Sequence, residues 1–189
     1  MLIYSCPALA ISIPTIPIYI YLPTFYGVTL ELGLVATGFA LLLARVFDTV
    51  TDPIVGIISD RFPIKRNYRK PWIAVGSIIA AIGLYQLLNP ANDAGIGYLI
   101  SWSIILYLGW TLVAVPYSTW GAELSTDYNE RTSITTTRET AGILGILTCG
   151  VIFVLSTNLK LSEMETISLI GWVAIGLGAI SIPYLLKKL

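Results

Sequence analysis

The chain alternates between long apolar runs and short polar breaks. Six runs, at about 3–25, 32–59, 72–89, 96–121, 137–156 and 166–186, are long enough to cross a bilayer as helices, since about 20 apolar residues cover roughly 30 Å of hydrocarbon. The breaks read "YGVTLELG", "DRFPIKRNYRKP", "NPANDAGIG", "ELSTDYNERTSITTTR" and "STNLKLSEMET". None is long enough to be a domain of its own. The first run lacks a basic leader and outlasts a signal-peptide core, so it reads as a span. The pattern predicts an all-α membrane protein, a single six-helix transmembrane bundle over residues 1–189.

Charge placement orients the bundle. Arg61, Lys65, Arg66, Arg69 and Lys70 fall in the second break, Arg131 and Arg138 in or beside the fourth, and Lys187 and Lys188 at the C-terminus. The other breaks hold only Lys160. The positive-inside bias puts the even-numbered breaks and both termini in the cytoplasm, with a bacterial inner membrane as the expected location. Tyr21, Tyr26, Trp72 and Trp120 lie near the ends of spans and are expected in the aromatic belts.

Composition supports lipid as the solvent. Hydrophobic residues make up 56% and charged residues 12% of the chain, about half the charged share of a soluble domain. Formal net charge is zero, which argues against a nucleic-acid partner. With no His, and with Cys6 and Cys149 far apart in apolar runs, no structural metal or disulfide framework is expected.

Two local patterns bear on packing. Span one carries Pro7, Pro14, Pro17 and Pro23. Pro14 and Pro17 free the carbonyls of Ala10 and Ile13, which predicts a kinked helix resting on its neighbours or bent round a cavity. Small residues recur as Gly76, Ala80 and Gly83, as Ala141 and Gly145, and as Gly171, Gly176 and Gly178, the spacing of close helix–helix seams.

The most informative stretch is "ARVFDTVTDPIVGIISDR", residues 44–61. Arg45, Asp48 and Asp52 stand at i, i+3 and i+7, on one helical face. Three central charges cost roughly 8–10 kcal/mol of insertion free energy, against ~4–8 kcal/mol returned by the span's Leu, Ile, Val and Phe residues. That face must therefore turn from lipid toward protein or a wet cavity. One Arg cannot neutralise two carboxylates. A structural Arg45–Asp48 ion pair is one reading. A coupling-cation site is the other, for Na+ or H+, to which Thr51 and Thr111 could add hydroxyls and Pro53 the freed Thr49 carbonyl. An aspartyl-protease dyad needs acids from separate elements, and these share one helix. No nucleophile–base pair or phosphate loop points to an enzyme.

The segments "RVFDTVTDP" and "GIISDR", "VPYSTWGAEL" and "TDYNERTSITTTRE" resemble the glycoside–pentoside–hexuronide:cation symporters of the major facilitator superfamily. The resemblance runs from about Tyr4 to the C-terminus. It implies the N-terminal half of a major facilitator fold, acting in cation-coupled symport of a sugar or related small solute by alternating access. It places Asp48, Asp52, Thr51 and Thr111 in a cation site and Tyr19, Trp110 and Arg138 at the substrate cavity. It gives Arg45, Asp60, Arg61, Glu123 and Arg131 ion-pair and gating roles. Where the family's sugar permeases carry two sugar-gripping Asp residues, this chain has Ser12 and Ala114. A lysolipid-type substrate and a non-transporting half or scaffold therefore remain open. The expected partners are a small-molecule substrate, the bilayer, and a C-terminal six-helix half or a second copy.

Overall fold

A computed structural model describes residues 2–61, 69–91 and 93–188, with the side chain of Asp60 excepted. Lys65 and Arg66, expected in the basic break, lie outside the described residues, and so does the Asp60 side chain. The elements are α1 (Leu2–Ser12), a π-helical turn (Pro17–Tyr21), α2 (Leu22–Thr24), a second π-helical turn (Phe25–Thr29), α3 (Leu34–Arg61), α4 (Arg69–Leu88), α5 (Ile96–Glu123), α6 (Tyr128–Asn158) and α7 (Glu163–Lys188). Among the described residues, six helical segments are long and apolar enough to cross a membrane, the first running from Leu2 to Thr29.

The proline-rich first span is broken, as its sequence predicts. Helix α1 stops at Ser12, and the chain resumes in two widened π turns, with Pro17 opening the first and Pro23 just before the second. A proline offers no amide hydrogen, so the regular i→i+4 ladder cannot pass through it unchanged. The span closes with Glu31 and Gly33 at positive φ, and the Gly33 amide donates to the Gly27 carbonyl at 3.1 Å.

The chain divides into two compact units, Met1–Pro17 with Ser118–Leu189, and Ile18–Tyr117. In the first unit α1 packs against α6 and α7. Tyr4, Ala8, Ala10 and Ile13 are buried there, as are Cys149, Ile152, Ile170 and Leu185. A Cβ on Gly145 would run into the Leu9 carbonyl, so this glycine sets how closely α6 approaches α1. Gly176 has open space around it and Gly178 only ordinary contact, so of that predicted seam these two do not make a close approach.

Helix α6 is longer than its apolar run. It begins at Tyr128 rather than near residue 137, because Asp127 caps it by accepting from the amides of Asn129 and Glu130. Four amides at a helix start need partners, and a capping carboxylate supplies two bonds. Helix α7 has a comparable start. The Ser162 amide donates to the Glu165 carboxylate at 2.8 Å, and the Glu165 amide to the Ser162 hydroxyl at 3.2 Å, a reciprocal capping box.

In the second unit α4 and α5 meet along small residues. A Cβ on Gly76 would come within 2.6 Å of the Leu112 Cβ, and one on Gly109 would strike the Ala80 backbone. Tyr26, expected in an aromatic belt, is instead fully buried and donates to the Leu87 carbonyl at 3.0 Å. Its ring stands edge-on to Phe25 with centroids 5.6 Å apart. The phenol thus ties the end of the first span to the end of α4.

The seam makes a testable demand. Gly109→Val should lower the stability of the detergent-solubilised chain by about 2 kcal/mol or more, because α4 and α5 must separate. Gly38→Ala, at a site with nothing within 4 Å, should leave the thermal unfolding temperature unchanged.

Candidate functional site

Helix α3 carries the predicted stripe, and all of its partners lie in the Ile18–Tyr117 unit. Arg45 Nη1 donates to Asp48 Oδ2 at 2.8 Å across one turn. The guanidinium lies over two rings, 4.6 Å from the Tyr19 centroid and 4.8 Å from that of Tyr107. Tyr19 comes from the first π turn. Tyr107 comes from α5, one helical turn before Thr111, so α5 presents both on one face.

The Thr111 hydroxyl reaches both acids. Its Oγ1 lies 3.0 Å from Asp48 Oδ1 and 2.8 Å from Asp52 Oδ1. Its surroundings fix it in place: Thr111 is 2% exposed and sits between Gly109 and Leu112, two of the α5 positions that touch α4. A threonine hydroxyl has one hydrogen, so it can satisfy only one of the two carboxylates at a time. The two acid oxygens are also held near each other by their common neighbour. Like charges so placed repel unless a proton or cation lies among them. Carboxylate and hydroxyl oxygens are the donor set of a hard cation, so the residues present fit a small ion.

Charge counting agrees. Residues 18–30, 34–59, 71–88 and 96–117 contain Arg45, Asp48 and Asp52 and no other Asp, Glu, Lys or Arg. The stripe therefore has formal charge minus one at neutral pH. The Asp48 side chain is 15% exposed and that of Arg45 39%, while Asp52 is exposed. Asp52 is thus the exposed end of the cluster and Thr111 its buried end.

The remaining predicted residues are placed as follows. The Thr51 hydroxyl donates to the Asp48 backbone carbonyl at 3.0 Å, so Thr111 is the threonine whose hydroxyl meets the carboxylates. Thr49 donates to the Arg45 carbonyl at 2.9 Å, and Pro53 is accommodated within an unbroken α3. Trp110 is half-buried on α5, next to Thr111. Arg138 belongs to the other unit, where its guanidinium donates to Glu139 and faces Tyr4. Glu123 ends α5 and Arg131 lies in the first turns of α6, both exposed, as is Arg61 at the end of α3. Tyr107 was missed from the sequence, although its i, i+4 spacing to Thr111 on the facing span was available as a signal.

These features define a class: a multi-pass helical membrane protein with two carboxylates and one arginine clustered inside one span. The chain belongs to the family described as MFS/sugar transport protein, which it matches over residues 3–186, and it is a glycoside–pentoside–hexuronide:cation symporter-like chain with the six helices of an N-terminal half. It is 28% identical over 158 residues to the uncharacterized symporter sll1374 of Synechocystis sp., covering 79% of this chain and 28% of that protein. It is 32% identical over 133 residues to the uncharacterized symporter YjmB of Bacillus subtilis, covering 68% and 29%. It is 34% identical over 113 residues to the sodium-dependent lysophosphatidylcholine symporter 1-B of Danio rerio, covering 57% and 21%. The chain thus spans less than a third of the length of these relatives.

A double-mutant cycle checks the bridging hydroxyl. Thr111→Val and Asp52→Asn should each change the thermal stability of the chain. Their combined effect should depart from additivity by about 1 kcal/mol or more, because both act on one cluster. Additive effects would mean the hydroxyl and the acid do not interact.

Proposed function

We propose that the chain supplies the first six-helix half of a cation-coupled symporter working by alternating access, completed by a C-terminal six-helix half or by a second copy. The observation that carries this reading is the Thr111 hydroxyl shared by Asp48 and Asp52, with Arg45 neutralising only one of them. The sodium dependence printed in the name of the zebrafish relative supports Na+ as the coupling ion, with H+ as the other candidate. Cation binding at Asp48, Asp52 and Thr111 cancels the remaining negative charge. The ion binds the substrate-competent state better than the other state, and the affinity for substrate rises by the same free energy.

The substrate is a sugar or glycoside, in keeping with the family description, lying against Tyr19 and Trp110. Thr51 backs the cation site from its own helix. Arg61, Glu123 and Arg131 act in ion pairing and gating at the cytoplasmic side, with both termini in the cytoplasm of a bacterial cell. A second reading, an amphipathic lysophospholipid substrate, draws on three lysophosphatidylcholine symporters among the relatives, at 34%, 35% and 36% identity.

In the transporter completed with its C-terminal half, Asp48→Asn and Asp52→Asn should each abolish Na+-stimulated uptake of a labelled glycoside while leaving membrane insertion intact. Sodium at ten times its dissociation constant should stabilise the wild-type chain by about 1.4 kcal/mol, and both variants should lose that shift. Wild-type uptake in either variant overturns the coupling assignment. Uptake of labelled lysophosphatidylcholine in place of the glycoside selects the second substrate.

A further inference from the structure

The Arg45 side chain has partners beyond its ion pair with Asp48. Its guanidinium lies over the rings of both Tyr19 and Tyr107, at 4.6 and 4.8 Å from their centroids, and the two rings come from different segments of the chain. Cation–π contacts of this kind favour a flat, weakly hydrated guanidinium over a solvated one. The clamp keeps a fixed positive charge beside Asp48 whether or not an ion is present.

We propose that the Tyr19–Arg45–Tyr107 clamp sets the valence selectivity of the cluster, making it a site for a monovalent cation and excluding divalent ones. The inference rests on the cation reading of Asp48, Asp52 and Thr111 and adds the residue that discriminates among cations. Two effects act in the same direction. First, the acids contribute minus two and Arg45 plus one, so a single positive charge neutralises the cluster. A divalent ion would leave a surplus and would meet twice the repulsion from the guanidinium. Second, Arg45 occupies Asp48 Oδ2. That leaves Asp48 Oδ1, the Asp52 carboxylate and Thr111 Oγ1 as the side-chain oxygens of the cluster. Calcium takes six to eight oxygens and is poorly served by so few. The extra repulsion felt by a divalent ion is that of one unit charge a few ångströms away, about tenfold in relative affinity at an effective dielectric between those of protein and water.

The test is equilibrium binding of Na+ and of Ca2+ to the purified whole chain in detergent, read by calorimetry and by thermal shift at matched ionic strength. The wild-type chain should prefer Na+. Arg45→Gln should move the preference about tenfold or more toward Ca2+. Arg45→Lys, which restores the charge without the flat stack, should recover most of the monovalent preference, a rescue that a merely structural arginine would not produce through charge alone. Tyr107→Leu, which loosens the clamp and keeps the arginine, should fall between the wild type and Arg45→Gln, and it decides the question if Arg45→Gln is not recovered folded. A wild-type chain that binds Na+ beside an Arg45→Gln chain of unchanged preference overturns this inference and leaves the cation reading standing. So does Arg45→Lys behaving as Arg45→Gln does, or, where Tyr107→Leu decides, an unchanged preference in that variant. A wild-type chain that binds neither ion, or that answers only to pH, overturns the inference together with the metal-cation form of the reading beneath it.

Discussion

Charge held at membrane depth has to be compensated by something, and in this chain the compensation is partial. Arg45 takes one oxygen of Asp48, and Thr111 offers a single hydrogen to two acids. Residues 18–30, 34–59, 71–88 and 96–117 add no further Lys or Arg. In hydrocarbon that deficit would be prohibitive. Much of the unit's local construction places the few groups that reduce it: the proline-broken first span brings Tyr19 to Arg45, and α5 brings Tyr107 and Thr111.

The α4–α5 seam belongs to the same design. Transmembrane helices gain little from hydrophobic burial against one another, so close packing through small residues determines where they sit. Gly76 and Gly109 remove the side chains that would hold α4 and α5 apart. Leu112 and Gly109 then fix the helix on either side of Thr111, and a buried hydroxyl becomes a positioned one.

Much of this was legible in the sequence, and the reasons differ by element. Charges inside an apolar run stand out against their background, so Arg45, Asp48 and Asp52 could be named with their common face. The spans followed from run length, and the break in span one from its prolines, although the π turns that accommodate them did not. Tyr26 was misplaced because an amphipathic ring near a span end fits an interface and a buried hydrogen bond equally well. Only the Leu87 carbonyl, distant in sequence, decides between them. The start of α6 was set too late because hydropathy measures contact with lipid and not helicity. The capping residue Asp127 was visible in "STDYNE", but its effect lies outside the apolar pattern. Tyr107 was overlooked because nothing marks an aromatic residue in an apolar helix as the partner of a cation on another.

Helix α6 carries a mechanical implication. Its 31 residues extend about 46 Å at the α-helical rise, well beyond the roughly 30 Å of a hydrocarbon core. The polar turns after Asp127 therefore form a stiff rod standing out of the apolar slab, where the apolar pattern alone reads a polar break. A slack tether absorbs an added or deleted amino acid, whereas a rod turns everything beyond it by about 100°. Arg138 and Glu139 are thus locked in azimuth to the capping carboxylate, and their direction is set eleven and twelve residues away at the water boundary.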